Sequence, residues 1–424
     1  MRIYKNELFN KNELIEEEVP NGWSVNKFEN ICSICRGASP RPINKFLTNS
    51  DGIPWIKIGD ATKVSKYIKD TNEYITKEAA KKSRYVYDGD LIVSNSATPC
   101  LPRFVKKTSC IHDGWLLLRD FKGVDKEFLF YIFTIIKEKL KNQGNGSIFI
   151  NLSTDILKNF YIKYPSIEEQ KRIADVLSKQ ESIINKTKDL IEQLDKRNAF
   201  MLDELLSGRL RIKEENGQVE FYKNPDDSWK TVIINFKEIP IPSVWNICDV
   251  NKIFKVYRGK VISKEHIKTN QGEYPVYSSA TLNDGCIGKI NTYMFDGEYI
   301  TWNTDGYAGA VFYRNGRFNC TNICGILEPL NKIEGLESLK YLLANEFKKF
   351  VRTGAQLTNK KLMSNVVEKI QFVMPERKEM IHITNFLKNL DSEKEKYEKL
   401  LIEEQKKFDF LLEELMSGRL RIEE

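Results

Sequence analysis

The sequence predicts an α+β protein built as a pseudo-twofold internal repeat. Two globular domains are separated and followed by long helices that pair as an antiparallel coiled coil. Three observations carry this expectation. The stretch LDELLSGRLRI, Leu202–Ile212, returns 210 residues later as LEELMSGRLRI, Leu412–Ile422. Extended upstream without a gap, Pro165–Ile212 and Pro375–Ile422 share 18 identities in 48 positions. Both globular segments also open on one frame, Pro20-x-x-Trp23 and Pro242-x-x-Trp245, followed thirteen residues on by Arg36-Gly37 and Arg258-Gly259. Self-similarity of this kind fixes architecture before any local motif does.

Taken in order, residues 1–19 are polar and read as a tail, and residues 20–165 form the first globular domain. Ile53–Ile58 and Asp90–Ser94 look like strands, and Lys126–Leu140 looks helical. The first long helix occupies 166–212. Ser166 with Glu169 three residues on is a capping-box signature that starts it, and Gly208 sits where it would stop. Ile173, Leu177, Ile184, Ile191, Leu194, Met201 and Leu205 follow at alternating spacings of four and three, with polar Gln180, Thr187 and Asn198 completing the seam. Residues 213–241, rich in Lys, Asn and Asp, read as a linker, and 242–375 as the second globular domain. There Tyr299–Trp302, Gly309–Tyr313 and Ile323–Leu327 read as strands, and Leu336–Phe350 as a helix. Turn signals stand at Asn283-Asp-Gly285, Asp305-Gly306 and Asn315-Gly316. The second long helix, in 376–424, repeats the seam as Ile383, Leu387, Leu390, Tyr397, Leu401, Phe408, Leu411 and Leu415, interrupted by Lys394 and Glu404, and Gly418 ends it. Heptads held in one register over more than four turns of the pattern favour pairing over two ordinary helices in separate cores. The globular segment between the copies lets the second helix return antiparallel.

Net charge is +7, unevenly spread. Segment 166–212 holds nine basic and nine acidic residues, and 376–424 holds ten and thirteen, so the helices sum to −3 and the remainder carries +10. Basic modules on a neutral spacer suit a polyanionic partner. No apolar run reaches transmembrane length and the N-terminus resembles no signal peptide, which points to a cytoplasmic protein without a membrane partner. The eight cysteines include Cys32-x-x-Cys35 and Cys320-x-x-x-Cys324, but the two sets do not align, so free thiols are expected and no metal site. No phosphate loop, adenine-methyltransferase Pro-Pro loop, nucleophile elbow or zincin helix occurs, and no catalytic residue is expected. The globular segments instead offer candidates for DNA contact on predicted loops: Arg36, Gly37, Arg41, Lys57, Ser94 and Asn95 in the first, and Arg258, Gly259, Lys260, Ser278, Ser279, Asn303, Thr304, Asp305 and Tyr307 in the second. Arginine and lysine suit guanine edges or phosphates, asparagine suits adenine, and glycine permits close approach. Solvated turns are the alternative reading of each.

These parts resemble the DNA-specificity subunits of type I restriction–modification systems. The resemblance rests on the two Pro-x-x-Trp…Arg-Gly openings, Tyr274–Ser279, Phe295–Trp302 leading into Thr304-Asp-Gly306, Pro165-x-x-x-Glu-Gln-Lys-Arg-Ile173, and both Ser-Gly-Arg-Leu-Arg-Ile helix ends. It covers the chain from about residue 19 onward. The second helix start departs from the pattern, reading Glu379-Met-Ile-His-Ile383. The resemblance implies two target recognition domains reading a bipartite sequence in double-stranded DNA, with the paired helices as ruler and as docking surface for two methyltransferase subunits. Restriction/translocase subunits would complete the assembly. S-adenosylmethionine, ATP and Mg2+ would then be bound by those partners and no cofactor by this chain. The rival readings are the recognition subunit of a combined restriction–methylation enzyme and a coiled-coil scaffold that binds no DNA.

Overall fold

The computed structural model describes residues 19–49, 51–96, 99–142, 152–280, 282–351 and 360–422. The expected tail, up to residue 18, lies outside them. The chain divides into two units, residues 1–189 with 399–424, and residues 190–398. Each long helix is continuous over 41 residues, Ile167–Ser207 and Arg377–Ser417, and gives one half to each unit.

In the first unit, Ser33–Arg36, Trp115–Arg119, Leu91–Ser94, Pro102–Val105 and Tyr67–Ile68 form a five-stranded sheet in that order. Leu91, Val93, Leu116 and Leu118 turn one face of it onto Phe128, Leu129 and Phe133 of the helix Lys126–Asn142. The same core continues into Ile173, Leu177 and Ile184 of the first long helix and Phe408, Leu412 and Leu415 of the second. A second five-stranded sheet, containing Ile53–Ile56 and Ser109–Ile111, is added to this frame. Ser24–Lys27 pairs antiparallel with Tyr161–Tyr164, so the domain's two ends leave side by side.

Among the described residues, the second unit repeats the frame without the added sheet. Phe254–Arg258, Cys324–Pro329, Phe295–Asn303, Val311–Cys320 and Gln271–Tyr277 stand in the same order, and Cys286–Ile290 follows at the edge. Asn246–Asp249 pairs with Gln371–Met374 as the matching neck. Ile300, Trp302 and Leu327 pack on Leu339, Leu343 and Phe347 of the helix Leu339–Phe350, and on to Leu205, Ile383 and Leu387 of the long helices.

Within each unit the long helices run antiparallel. In the first, Gln180 Nε2 donates to the Glu404 carbonyl at 3.2 Å, and Glu169 pairs with Arg421. In the second, Asp195 meets Lys394, Asn198 Nδ2 donates to the Leu390 carbonyl at 3.2 Å, and Arg211 pairs with Glu379. Partner numbers fall as the first helix advances. The seam residues Ile173, Leu177, Ile184, Leu194, Leu205, Ile383, Leu387, Leu390, Phe408 and Leu415 are buried, while Ile191, Met201, Tyr397, Leu401 and Leu411 are half-buried.

Three expectations need correction. Residues 213–241 are no plain linker: Leu210–Glu215 with Gln218–Lys223, and Trp229–Ile234 with Lys237–Pro242, form two β-hairpins. Asn315-Gly316 is no turn either. It lies inside Val311–Cys320, where Gly316 (φ +93) faces Gly297 (φ +128) across the ladder, so both flexible positions sit in strand. The capping box is half made: the Glu169 backbone N–H donates to Ser166 Oγ at 3.3 Å, but the Glu169 carboxylate turns instead to Arg421.

Candidate nucleic-acid interface

In each domain several candidates lie about one turn of the main sheet. In the first domain that turn is His112-Asp113-Gly114-Trp115, closed by the Trp115 N–H donating to the His112 carbonyl at 3.2 Å. Its counterpart is Thr321-Asn322-Ile323-Cys324, closed by the Cys324 N–H on the Thr321 carbonyl at 3.0 Å. The glycine of each Arg-Gly opening passes against this turn. Gly37 donates its N–H to the Trp115 carbonyl, and Gly259 donates to that of Cys324. A β-carbon on Gly37 would stand 2.1 Å from the His112 carbonyl oxygen, and one on Gly259 2.2 Å from that of Cys320. These glycines are therefore required by the backbone of the fold itself.

Asp113 is the hub of the first site. Its Oδ1 accepts from Ser39 Oγ at 2.6 Å, and its Oδ2 lies 3.7 Å from Arg41 and 4.0 Å from Arg36. Its carbonyl accepts from Arg36 Nε at 2.9 Å and from Asn95 Nδ2 at 3.1 Å. The Ser39 hydroxyl first, with the neighbouring Arg36 guanidinium adding to it, holds the Asp113 carboxyl below its ordinary value. One carboxylate thus orients two exposed guanidinium groups and leaves net positive charge facing solvent. Lys57 joins from the added sheet, its Nζ 5.2 Å from the Trp55 ring and 2.5 Å from Glu73, while Trp55 meets His112 edge-on at 6.1 Å. Burial lowers the His112 pKa, and its Nδ1 accepts from the Gly114 N–H, so the imidazole acts as a neutral brace.

Not every candidate is on the surface. Ser94 and Asn95 are buried, as are Asn303 and Thr304, and the two pairs are equivalent. Ser94 stands opposite Trp115 and Asn303 opposite Cys324 in the sheet register. The Asn95 carbonyl accepts the Leu152 N–H, and the Thr304 carbonyl that of Leu362. Asn95 and Thr304 thus tie each sheet to the segment that leads to the long helix.

The second site is built differently on the same frame. Ser278 Oγ accepts from Thr321 Oγ1 at 3.1 Å, Ser279 Oγ donates to the Asp305 carbonyl, and the Lys260 N–H donates to the Cys320 carbonyl at 3.0 Å. Arg258 reaches Met363, and Asp305 lies 3.7 Å from Lys361, a cation absent from the sequence-based set. Tyr307 projects into solvent at 64% exposure. Turn residues His112 and Asp113 were also missed. The Asp113-Gly114 turn signal ahead of Trp115–Arg119 was available, but the equivalent turn of the second copy reads Asn322-Ile323.

The long helices carry a second repeated surface. Phe200 and Phe410, 210 residues apart, are 63% and 60% exposed. Each follows a basic pair, Lys196-Arg197 and Lys406-Lys407, and precedes an acidic pair held by an arginine, Asp203-Glu204 with Arg209 and Glu413-Glu414 with Arg419.

All eight cysteines are free thiols. No cluster of three or more metal-ligating side chains occurs among the described residues, and no described helix is long and apolar enough to cross a membrane.

Comparison with known proteins agrees with this architecture. The profile of the family described as type I restriction modification DNA specificity domain matches residues 20–196 and 242–404, one match for each copy of the repeat. A Mycoplasma pneumoniae sequence carrying a type I specificity subunit designation is 35% identical over 238 residues, 56% of this chain and 78% of that one. The crystal structure of the S subunit of a type I restriction–modification system from M. genitalium aligns with TM-score 0.59 at 16% identity, covering 95% of this chain and 97% of the other. A chain from a structural study of assembly and conformational transition in a type I system aligns with TM-score 0.56 at 14% identity, covering 95% and 100%. These two likenesses are of fold.

Proposed function

The chain belongs to the family of type I restriction–modification DNA specificity proteins, and from that membership we propose that it is the non-catalytic subunit that supplies such a complex with its DNA address. Each domain reads one half of a bipartite target in double-stranded DNA. Two methyltransferase subunits dock on the long helices, and restriction/translocase subunits join them. S-adenosylmethionine, ATP and Mg2+ belong to those partners.

The observation that carries this reading is the repeated frame with different contents. The Arg-Gly glycine, the closing turn and the buried polar pair recur, yet the side chains set on them differ. A protein reading one sequence twice would keep both sets alike. One that reads two different half-sites keeps the frame and varies the contact residues. Support for paired partners comes from the exposed Phe200 and Phe410 surfaces, since one repeated patch suits two copies of one protein.

The test is a genome-wide map of methylated adenine in the host with and without the gene. Loss of one split motif, two short blocks with a fixed unspecified gap, is the expected result. An unchanged map while the partner subunits are expressed would sink the proposal and favour the scaffold reading.

A further inference from the structure

Four positions on the helical side of each unit recur at the same offset. Glu127, Tyr131, Ser178 and Glu181 become Glu337, Tyr341, Lys388 and Asp391, 210 residues on. In the first unit Tyr131, on the helix Lys126–Asn142, donates its hydroxyl to Glu181 of the long helix at 3.3 Å. Lys66, just ahead of the recognition strand Tyr67–Ile68, is inserted beside them with only 5% of its side chain exposed. Its Nζ lies 2.6 Å from Glu127, 3.3 Å from Ser178 Oγ and 3.4 Å from the Tyr131 hydroxyl. The rings of Tyr67, Phe104, Phe130 and Tyr131 surround it, with centroids 5.0–5.9 Å away. Burying an ammonium is costly unless charge and hydrogen bonds compensate, and here a carboxylate, two hydroxyls and four ring faces do so.

The second unit makes the same tie with the cation moved. Tyr341 donates to Asp391 at 2.7 Å, and Glu337 pairs with Lys388, which stands on the long helix itself. Burial, reinforced by the adjoining carboxylates, pushes both tyrosine hydroxyls far above their ordinary value, so both remain donors. The tie is thus kept while its components are exchanged.

Apolar packing between a domain helix and a long helix is non-directional and tolerates small rotations. A tyrosine hydroxyl on a carboxylate is directional and does not. We propose that Tyr131–Glu181 and Tyr341–Asp391, with their lysine bridges, are positioning clasps. Each fixes the angle of its recognition domain on the adjoining half-helix, and thereby the gap between half-sites that the protein accepts. This rests on the bipartite reading given above.

The experiment expresses the full chain with its cognate modification subunits in a host lacking adenine methylation. Once the wild-type motif is mapped, plasmids carry that motif with the gap shortened or lengthened by one base pair. The double variant Tyr131→Phe/Tyr341→Phe removes two oxygens and leaves the packing. It is expected to recognise the same half-sites while the native-gap to altered-gap methylation ratio falls about tenfold or more, the equivalent of one hydrogen bond to a charged group. An unchanged ratio overturns the proposal. So does a loss of methylation spread evenly over all gaps, which marks a merely structural role. If the double variant does not accumulate, Glu181→Gln/Asp391→Asn, of the same shape, is read by the same criteria. A wild-type motif with no gap at all sinks the bipartite reading, whereas a split motif with an unmoved ratio sinks the clasps alone.

Discussion

Glu379 and Glu169 show how one repeated residue acquires two environments. Glu379 accepts from Arg211 at 2.5 and 2.7 Å and from Trp245 Nε1 at 2.9 Å, with both ion partners 6% exposed. Glu169 accepts from Arg421 at 2.6 and 2.7 Å, but Arg421 is 37% exposed and Trp23 Nε1 has no partner. Removing Glu379 strands a buried guanidinium, so Glu379→Ala should cost about 3–5 kcal/mol. In Glu169→Ala the freed Arg421 can turn to water, and the cost should be about 1 kcal/mol. Urea unfolding of the two variants measures this, and equal losses would show that exposure does not separate the pairs. Sequence made the glutamates visible only as helix-start residues, because their arginine partners lie 168 and 252 positions away. The Arg-Gly openings were legible as positions but not as causes: the glycines answer to a carbonyl oxygen that no local pattern announces.

At the scale of elements, periodicity was the most readable signal. Both helix-ending glycines (φ +77 at each) stand where spacing put them, and ten of the fifteen apolar seam positions are buried. Even the polar interruptions have partners, Gln180 with Glu404 and Asn198 with Leu390, as expected of residues that fix register in a coiled coil. Turns were less legible, since one dipeptide serves two ends. Asn216-Gly217 makes a hairpin turn with φ +52 and +76 inside the supposed linker, while Asn315-Gly316 lies in a strand. What separates them is a facing glycine, Gly297, which is a tertiary fact. The outward faces carry a further expectation. Phe200 and Phe410 are largely exposed, so Phe200→Ser/Phe410→Ser should leave the unfolding midpoint nearly unchanged. Loss of an aromatic anchor should weaken partner binding at least about tenfold per site. Titration with the modification subunit checks this, and undiminished binding would move the docking surface elsewhere on the helices.

For the whole molecule, the repeat says where the chain can be recombined. The first domain enters and leaves through one neck, Ser24–Lys27 against Tyr161–Tyr164, which lies wholly within residues 20–165. A replacement domain would therefore bring its own neck. It would need to preserve the apolar packing on the long helices, the Tyr131–Glu181 contact, and a set of polar and close contacts to the frame: Trp23 and Pro20 against Gly418, the Asn21 carbonyl accepting from Arg421, and the Asp125 N–H donating to Gln170. All of these lie in segments that belong to the repeated frame, while the five-stranded insertion, present among the described residues in the first copy alone, lies outside it. Exchanging residues 20–165 for another recognition domain of the family should change one half of the methylated motif and leave the other intact. The gap should be retained where the incoming domain supplies an acidic residue and a tyrosine in place of Glu127 and Tyr131. Mapping methylated adenine for the chimera reads both features together. A motif altered in both halves would mean that the two sites read DNA jointly, and independent modules on a shared frame would no longer describe the protein.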